Sequence, residues 1–165
     1  MTWPPIGPDL NAFDGDWARY DAACYESYLH DFYESGPSWP GGVRFAIKRQ
    51  PELNGKCGTF IHLTSSGEIE SERLPALDRY ERISWPKMLI DEFAAIHPAA
   101  QSSRVKWWKS ARNGEGRVLI ALADFSYVVV IAERQGYVLL WTAFPVEYSS
   151  RRKKLEREFN AYWGI

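Results

Sequence analysis

The chain has 165 residues, 45% of them hydrophobic and 15% aromatic, with a formal net charge of −1, so a single domain can bury a core without disulfide or metal staples. Its two cysteines, Cys24 and Cys57, lack CxxC or zinc-finger spacing, and no charged segment leads into a long apolar stretch near the start. The longest apolar run, Tyr127–Ala132, falls far short of the roughly 20 residues that cross a bilayer. Disulfide scaffolds, zinc fingers and membrane spans are excluded, and a reduced, cytoplasmic protein is expected.

The small net charge hides an uneven distribution. Asp9, Asp14, Asp16, Asp21, Glu26, Asp31 and Glu34 face Arg19 alone within residues 1–40, whereas positive charge gathers at Arg104, Lys106, Lys109, Arg112 and Arg117 and again at Arg151, Arg152, Lys153, Lys154 and Arg157. A polyanion can meet such a surface, or the cations can be solvated faces that balance acidic neighbours. An isoelectric point near 6.3 argues against a constitutive, high-affinity nucleic-acid binder. The aromatic content suits core packing as well as stacking on bases or on a protein partner.

In chain order, Pro4, Pro5 and Pro8 make residues 1–13 an extended leader. Residues 14–40 read as an acidic, aromatic helix and loop: Asp14 or Asp16 caps, Trp17, Tyr20, Cys24, Tyr28 and Phe32 recur at helical spacing, and Gly36–Pro37 stops the helix. Val43–Lys48 and Thr59–Thr64 are predicted as strands of a first hairpin around a Gly- and Pro-containing turn region. Ser65–Asp78 reads as irregular. Ser84 and Pro86 then open a second helix with Leu89, Ile90, Phe93 and Ile96 on its apolar stripe, ended by Pro98.

Three strands follow, Val105–Ser110, Arg117–Ala123 and Tyr127–Glu133, joined by links short enough to make them antiparallel neighbours. Gln135–Gly136 turns the chain into Tyr137–Ala143, apolar on both faces as a central strand covered on each side would be. A last helix starts near Ser149 or Ser150 and packs Leu155, Phe159 and Tyr162 on the sheet. Arg151 and Arg152 flank its apolar stripe, while Lys153 and Arg157 point away. The expected fold is α+β: an antiparallel sheet of about four to six strands with N-terminal, middle and C-terminal helices, all in one domain spanning 1–165.

Motifs for chemistry are sparse. Asn113-Gly114-Glu115-Gly116 lies between two strands, so it is a hairpin turn and not a phosphate loop. Glu68, Glu70 and Glu72 lie on a polar stretch without a framework, and neither a nucleophile elbow nor a cysteine–histidine pair is recognisable, so no metal and no cofactor are expected. His30 and His97 have structural explanations in the first helix and at a helix end. His62 stands in a strand-like segment ahead of Arg79 and Arg82, where an imidazole can move a proton and guanidinium groups can grip a phosphate; a structural role for a lone strand histidine is the alternative.

The segments Phe60-Ile61-His62-Leu63-Thr64, Arg79-Tyr80-Glu81-Arg82-Ile83-Ser84-Trp85-Pro86, Tyr127-Val128-Val129-Val130 and Leu140-Trp141-Thr142-Ala143-Phe144, with the basic Lys153-Lys154-Leu155 helix, resemble phage-borne ribonuclease-like domains. These are grouped with barnase, EndoU, colicin nucleases and RelE toxins. The resemblance covers roughly residues 43–163. It implies a toxin-like endoribonuclease of phage or mobile-element origin that cleaves RNA without metal, by attack of the 2′-hydroxyl on its own phosphodiester. By the same resemblance His62 would be the general acid or base, Arg79, Arg82 and Arg151 would hold phosphate, and Thr142 would orient an oxygen. RNA would be the substrate, and a cognate inhibitor or antitoxin protein a partner.

Two other readings stand beside it. One is a non-catalytic nucleic-acid- or protein-binding protein on the same scaffold. The other is a protein-binding effector or immunity factor that uses the acidic first helix. Residues 1–40 themselves have two candidate roles: to lie over the basic face as a built-in inhibitor, or to complete the core.

Overall fold

The computed structural model describes residues 3–69 and 72–165, so Met1, Thr2, Ser71 and the Glu70 of the acidic stretch above lie outside the described residues. The leader is extended but firmly attached. Gly7 N–H donates to the Glu81 carbonyl at 2.8 Å, Tyr20 Oη to the Pro8 carbonyl at 2.8 Å, and Trp85 Nε1 to the Pro5 carbonyl at 2.9 Å. A short 3-10 turn, Leu10–Phe13, then leads to α1 (Trp17–Leu29), whose first turn is capped by the Asp16 carboxylate accepting from Arg19 N–H. Tyr20, Cys24 and Tyr28, four residues apart, are fully buried, and the helix runs on as a π-helical segment, His30–Glu34.

The next part departs from expectation. β1 (Arg44–Ala46) is a strand, but Thr59–Thr64 is not: it lies in α2 (Gly58–Thr64). The segment is rich in strand-forming residues, and tertiary contacts override that preference. Gly58 and Thr59 N–H groups donate to the Arg49 and Lys48 carbonyls at 2.9 Å each, and Thr59 Oγ1 donates to Lys48 O and accepts from Lys48 N–H, so the helix start is satisfied by the preceding chain. Phe60, Leu63 and Thr64 bury one helical face. Gly58 is obligatory because a Cβ there would stand 2.7 Å from the Gln50 carbonyl oxygen. The supposed hairpin is therefore absent, and β1 pairs in parallel with a distant strand. The stretch expected to be irregular includes two short paired strands, β2 (Ser65–Ser66) and β3 (Leu74–Pro75), followed by α3 (Leu77–Tyr80) and α4 (Trp85–Ile96).

Four antiparallel strands complete the sheet: β4 (Val105–Arg112), β5 (Glu115–Leu122), β6 (Tyr127–Arg134) and β7 (Tyr137–Pro145). Asn113 and Gly114, with φ of 53° and 77°, make the β4–β5 reversal the two-residue turn with both central residues left-handed. Among the described residues the five-stranded order is β1-β7-β6-β5-β4, so the sheet is mixed, with β1 parallel to β7 at its edge. α5 (Ser149–Trp163) closes the chain on Leu155, Phe159 and half-buried Trp163; Tyr162, expected on that face, is largely exposed.

The sheet has unequal faces. One is covered by α1, α2, α3 and α4, and their aromatic residues merge with Val105, Trp107, Ile120, Val129 and Leu140 in the larger core. The other carries Trp108, Leu119, Ala121, Val128 and Val130, sealed by Leu155 and Phe159 of α5. Among the described residues no helix is long and apolar enough to cross a membrane.

Candidate functional site

α5 is too narrow to roof its face of the sheet, so the uncovered part floors a cleft of about 990 Å³ between β5, β6, β7 and the basic side of the helix. A β-bulge shapes this floor. Val130 pairs with Thr142 and Ile131 with Leu140, which leaves Trp141 as the extra residue. A regular strand sends neighbouring side chains to opposite faces, whereas the bulge lets Trp141 and Thr142 both line the cleft, followed by Phe144. Leu140 and Ala143 keep their places in the core on the other face.

The cleft is electropositive. Arg112 and Arg117 come from the sheet, Arg151, Lys154 and Arg157 from α5, and Glu158 is the single acid lining it among the described residues. Of those five cations only Arg117 has an ion pair among the described residues, with Glu115 at 3.5 Å. Elsewhere the pattern reverses: Lys56 pairs with Asp21 at 3.0 Å, Lys87 with Asp91 at 2.6 Å and Lys109 with Glu133 at 3.2 Å. Unpaired cations in a walled groove focus positive potential outward.

The cations are arranged around aromatic rings. Over Trp141, the Lys48 ammonium lies 4.1 Å and the Arg117 guanidinium 5.0 Å from the ring centroid. Arg117 Nε is buried without a hydrogen-bond partner among the described residues. Over Phe144, Arg151 lies at 5.1 Å and Arg79 at 6.0 Å. Beyond Phe144 the cleft passes into a smaller recess of about 330 Å³ lined by Arg79, Arg151, Tyr148, Asp78 and Glu147. Arg79 is half-buried and donates from Nη1 to the Ser65 carbonyl at 2.9 Å. Burial pulls its pKa below the ordinary arginine value, against the opposing pull of Asp78, Tyr127 and Glu147.

Three of the five residues singled out from the sequence come together: Thr142 and Arg151 in the cleft, Arg79 and Arg151 in the recess. Arg82 lines neither; it donates to the Asp78 carbonyl at 2.7 Å and lies over Trp85 at 4.9 Å. His62 lines neither as well. It is a half-buried residue of α2, and its carbonyl accepts from Arg73 Nη2 at 3.0 Å. Arg157, expected to point away from the sheet, lines the cleft beside Lys154. Trp141 and Phe144 are not among the residues singled out from the sequence; Phe144 shares the face of Thr142 by regular alternation, whereas Trp141 does so only through the bulge.

None of the described residues 3–40 lines this cleft. Tyr20, Cys24 and Tyr28 are buried in the core on the opposite face of the sheet, so α1 completes the core and does not mask the basic cleft. Comparison with protein-family models, with curated proteins and with solved structures finds no match.

Proposed function

We propose that this protein binds single-stranded nucleic acid, RNA foremost, along the open face of its sheet. The observation that carries the reading is the pair Trp141 and Phe144, turned onto one face by the bulge and each overlain by two cations. Exposed bases stack on aromatic rings while Lys and Arg neutralise the backbone, which is the general chemistry of single-strand grooves. Thr142, Ser110 and Ser150 add hydroxyl groups to the lining, suited to ribose and base edges.

The resemblance to ribonuclease-like domains would add cleavage to this binding. Such a reaction needs a proton acceptor and a donor beside the phosphate. Glu158 lines the cleft but His62 does not, so binding is the reading the geometry supports best.

The test is fluorescence anisotropy with a labelled single-stranded RNA at stepped salt, with the recovered RNA run on a gel after incubation in EDTA. Expected are salt-sensitive binding, intact RNA, and a roughly tenfold or larger loss for Trp141→Ala, since stacking contributes about 1–3 kcal/mol per base. Products that form in EDTA and vanish in His62→Ala would favour the endoribonuclease instead. No binding at low salt would sink the proposal.

A further inference from the structure

Phe144 stands where the main cleft and the smaller recess meet, and with Arg151 it lines both. The two guanidinium groups over its ring come from separate elements, Arg79 from α3 and Arg151 from α5. Neither forms an ion pair among the described residues, although Asp78 and Glu147 share the recess wall with them. Arg79 is tethered by the Ser65 carbonyl, so one of the two forks is held in place before any ligand arrives.

The recess differs in charge from the main cleft. Among the described residues it has two cations and two acids on its wall, against five cations and one acid in the cleft. A run of phosphates would meet repulsion from Asp78 and Glu147, whereas one phosphate between two guanidinium groups matches the planar fork geometry of arginine. Trp141 and Phe144 are three residues apart along β7, at most roughly 10 Å at the rise of an extended strand.

We propose that Arg79, Arg151 and Phe144 form a phosphate subsite separate from the stacking position at Trp141, so that an extended strand lies lengthwise along the trough. The inference rests on the nucleic-acid reading above and adds to it a second, spatially distinct contact. A ligand confined to Trp141 does not use Arg79; a longer strand does.

The experiment is a length series of labelled oligouridines, from dinucleotide to octanucleotide, titrated into the wild type, Arg79→Ala and Phe144→Leu. Wild-type affinity is expected to step up with length. Both variants lose that step, roughly tenfold at the octanucleotide, and lose less at the dinucleotide. An equal loss at every length, or no loss at any, overturns the subsite. Failure of every length to bind the wild type overturns the nucleic-acid reading with it. Thermal melts of the same samples separate unfolding from lost binding; should Arg79→Ala fail to fold, Phe144→Leu decides, because leucine keeps most of the apolar packing of the partly buried Phe144 ring.

Discussion

The two faces of the sheet satisfy their polar groups in opposite ways. On the closed face the tyrosines bury their rings and still find partners: Tyr20 Oη donates to the Pro8 carbonyl at 2.8 Å, Tyr80 Oη to Asp21 at 2.8 Å, and Cys57 Sγ to Tyr28 Oη at 3.0 Å. Burial pushes the pKa values of Tyr20, Tyr28 and Tyr80 upward, so these phenols stay neutral as the core requires. On the open face four cations have no acid partner among the described residues, and rings that are only partly buried lie beside them. The difference separates stability from recognition: a side chain removed from the closed face should cost folding, and one removed from the open face should cost binding.

The sharpest way to break that division is Phe60→Ala. Phe60 is fully buried and meets the rings of Tyr25, Tyr28 and Tyr80 at 4.8, 5.5 and 6.0 Å. Its truncation is expected to cost about 3–5 kcal/mol in a denaturant melt. Trp141→Ala should weigh the other way: its partly buried ring packs against the α5-side core, so a melting loss smaller than that of Phe60→Ala is expected beside a loss of about 1–3 kcal/mol in binding. If Trp141→Ala unfolds the protein as readily as Phe60→Ala, the open face is simply more core.

Asp31 offers a subtler probe of the closed side. Its carboxylate has a buried oxygen without a partner among the described residues, and burial pushes its pKa from 3.8 up to about 6, with Asp91 adding to the shift and Lys87 opposing it. A carboxyl whose folded pKa is raised gives stability that is fully present below its unfolded pKa and is lost as pH rises through the folded one. Stability should therefore fall between pH 3.8 and about 6 from this group. Asp31→Asn should remove that part of the decline and melt higher than the wild type at neutral pH. A variant with an unchanged pH profile would show that the carboxyl is solvated.

The smallest expected effect is electrostatic. Arg151→Ala removes one unpaired cation from the junction of the two recesses, and the slope of log affinity against log salt should become shallower by about 0.7 for a single strand. An unchanged slope would place the strand elsewhere on the surface.

How much of this was legible in the sequence depends on the range of the contacts involved. β4 to β7 were readable because alternation and tight turns such as Asn113–Gly114 are local, and the helices of Trp17–Leu29, Trp85–Ile96 and Ser149–Trp163 because their apolar spacing is local too. Thr59–Thr64 was misread as a strand because its helix depends on Lys48, Arg49 and the tyrosines of α1, none of them neighbours in sequence. The parallel pairing of β1 with β7 has the same cause, since about ninety residues separate the partners, Arg44 with Tyr137 among them. Arg79, Thr142 and Arg151 converge because β7 passes between α3 and α5. Trp141 became a site residue through a register shift between β6 and β7, which composition cannot reveal.

The division between the faces can be read directly from the indole N–H resonances of the eight tryptophans during titration with single-stranded RNA. Trp141 lies in the open cleft, while Trp39 and Trp85 belong to the core of the closed face. If the open face binds the strand, the Trp141 signal shifts progressively and those of Trp39 and Trp85 stay in place. Shifts at Trp39 or Trp85 with Trp141 unmoved would contradict it.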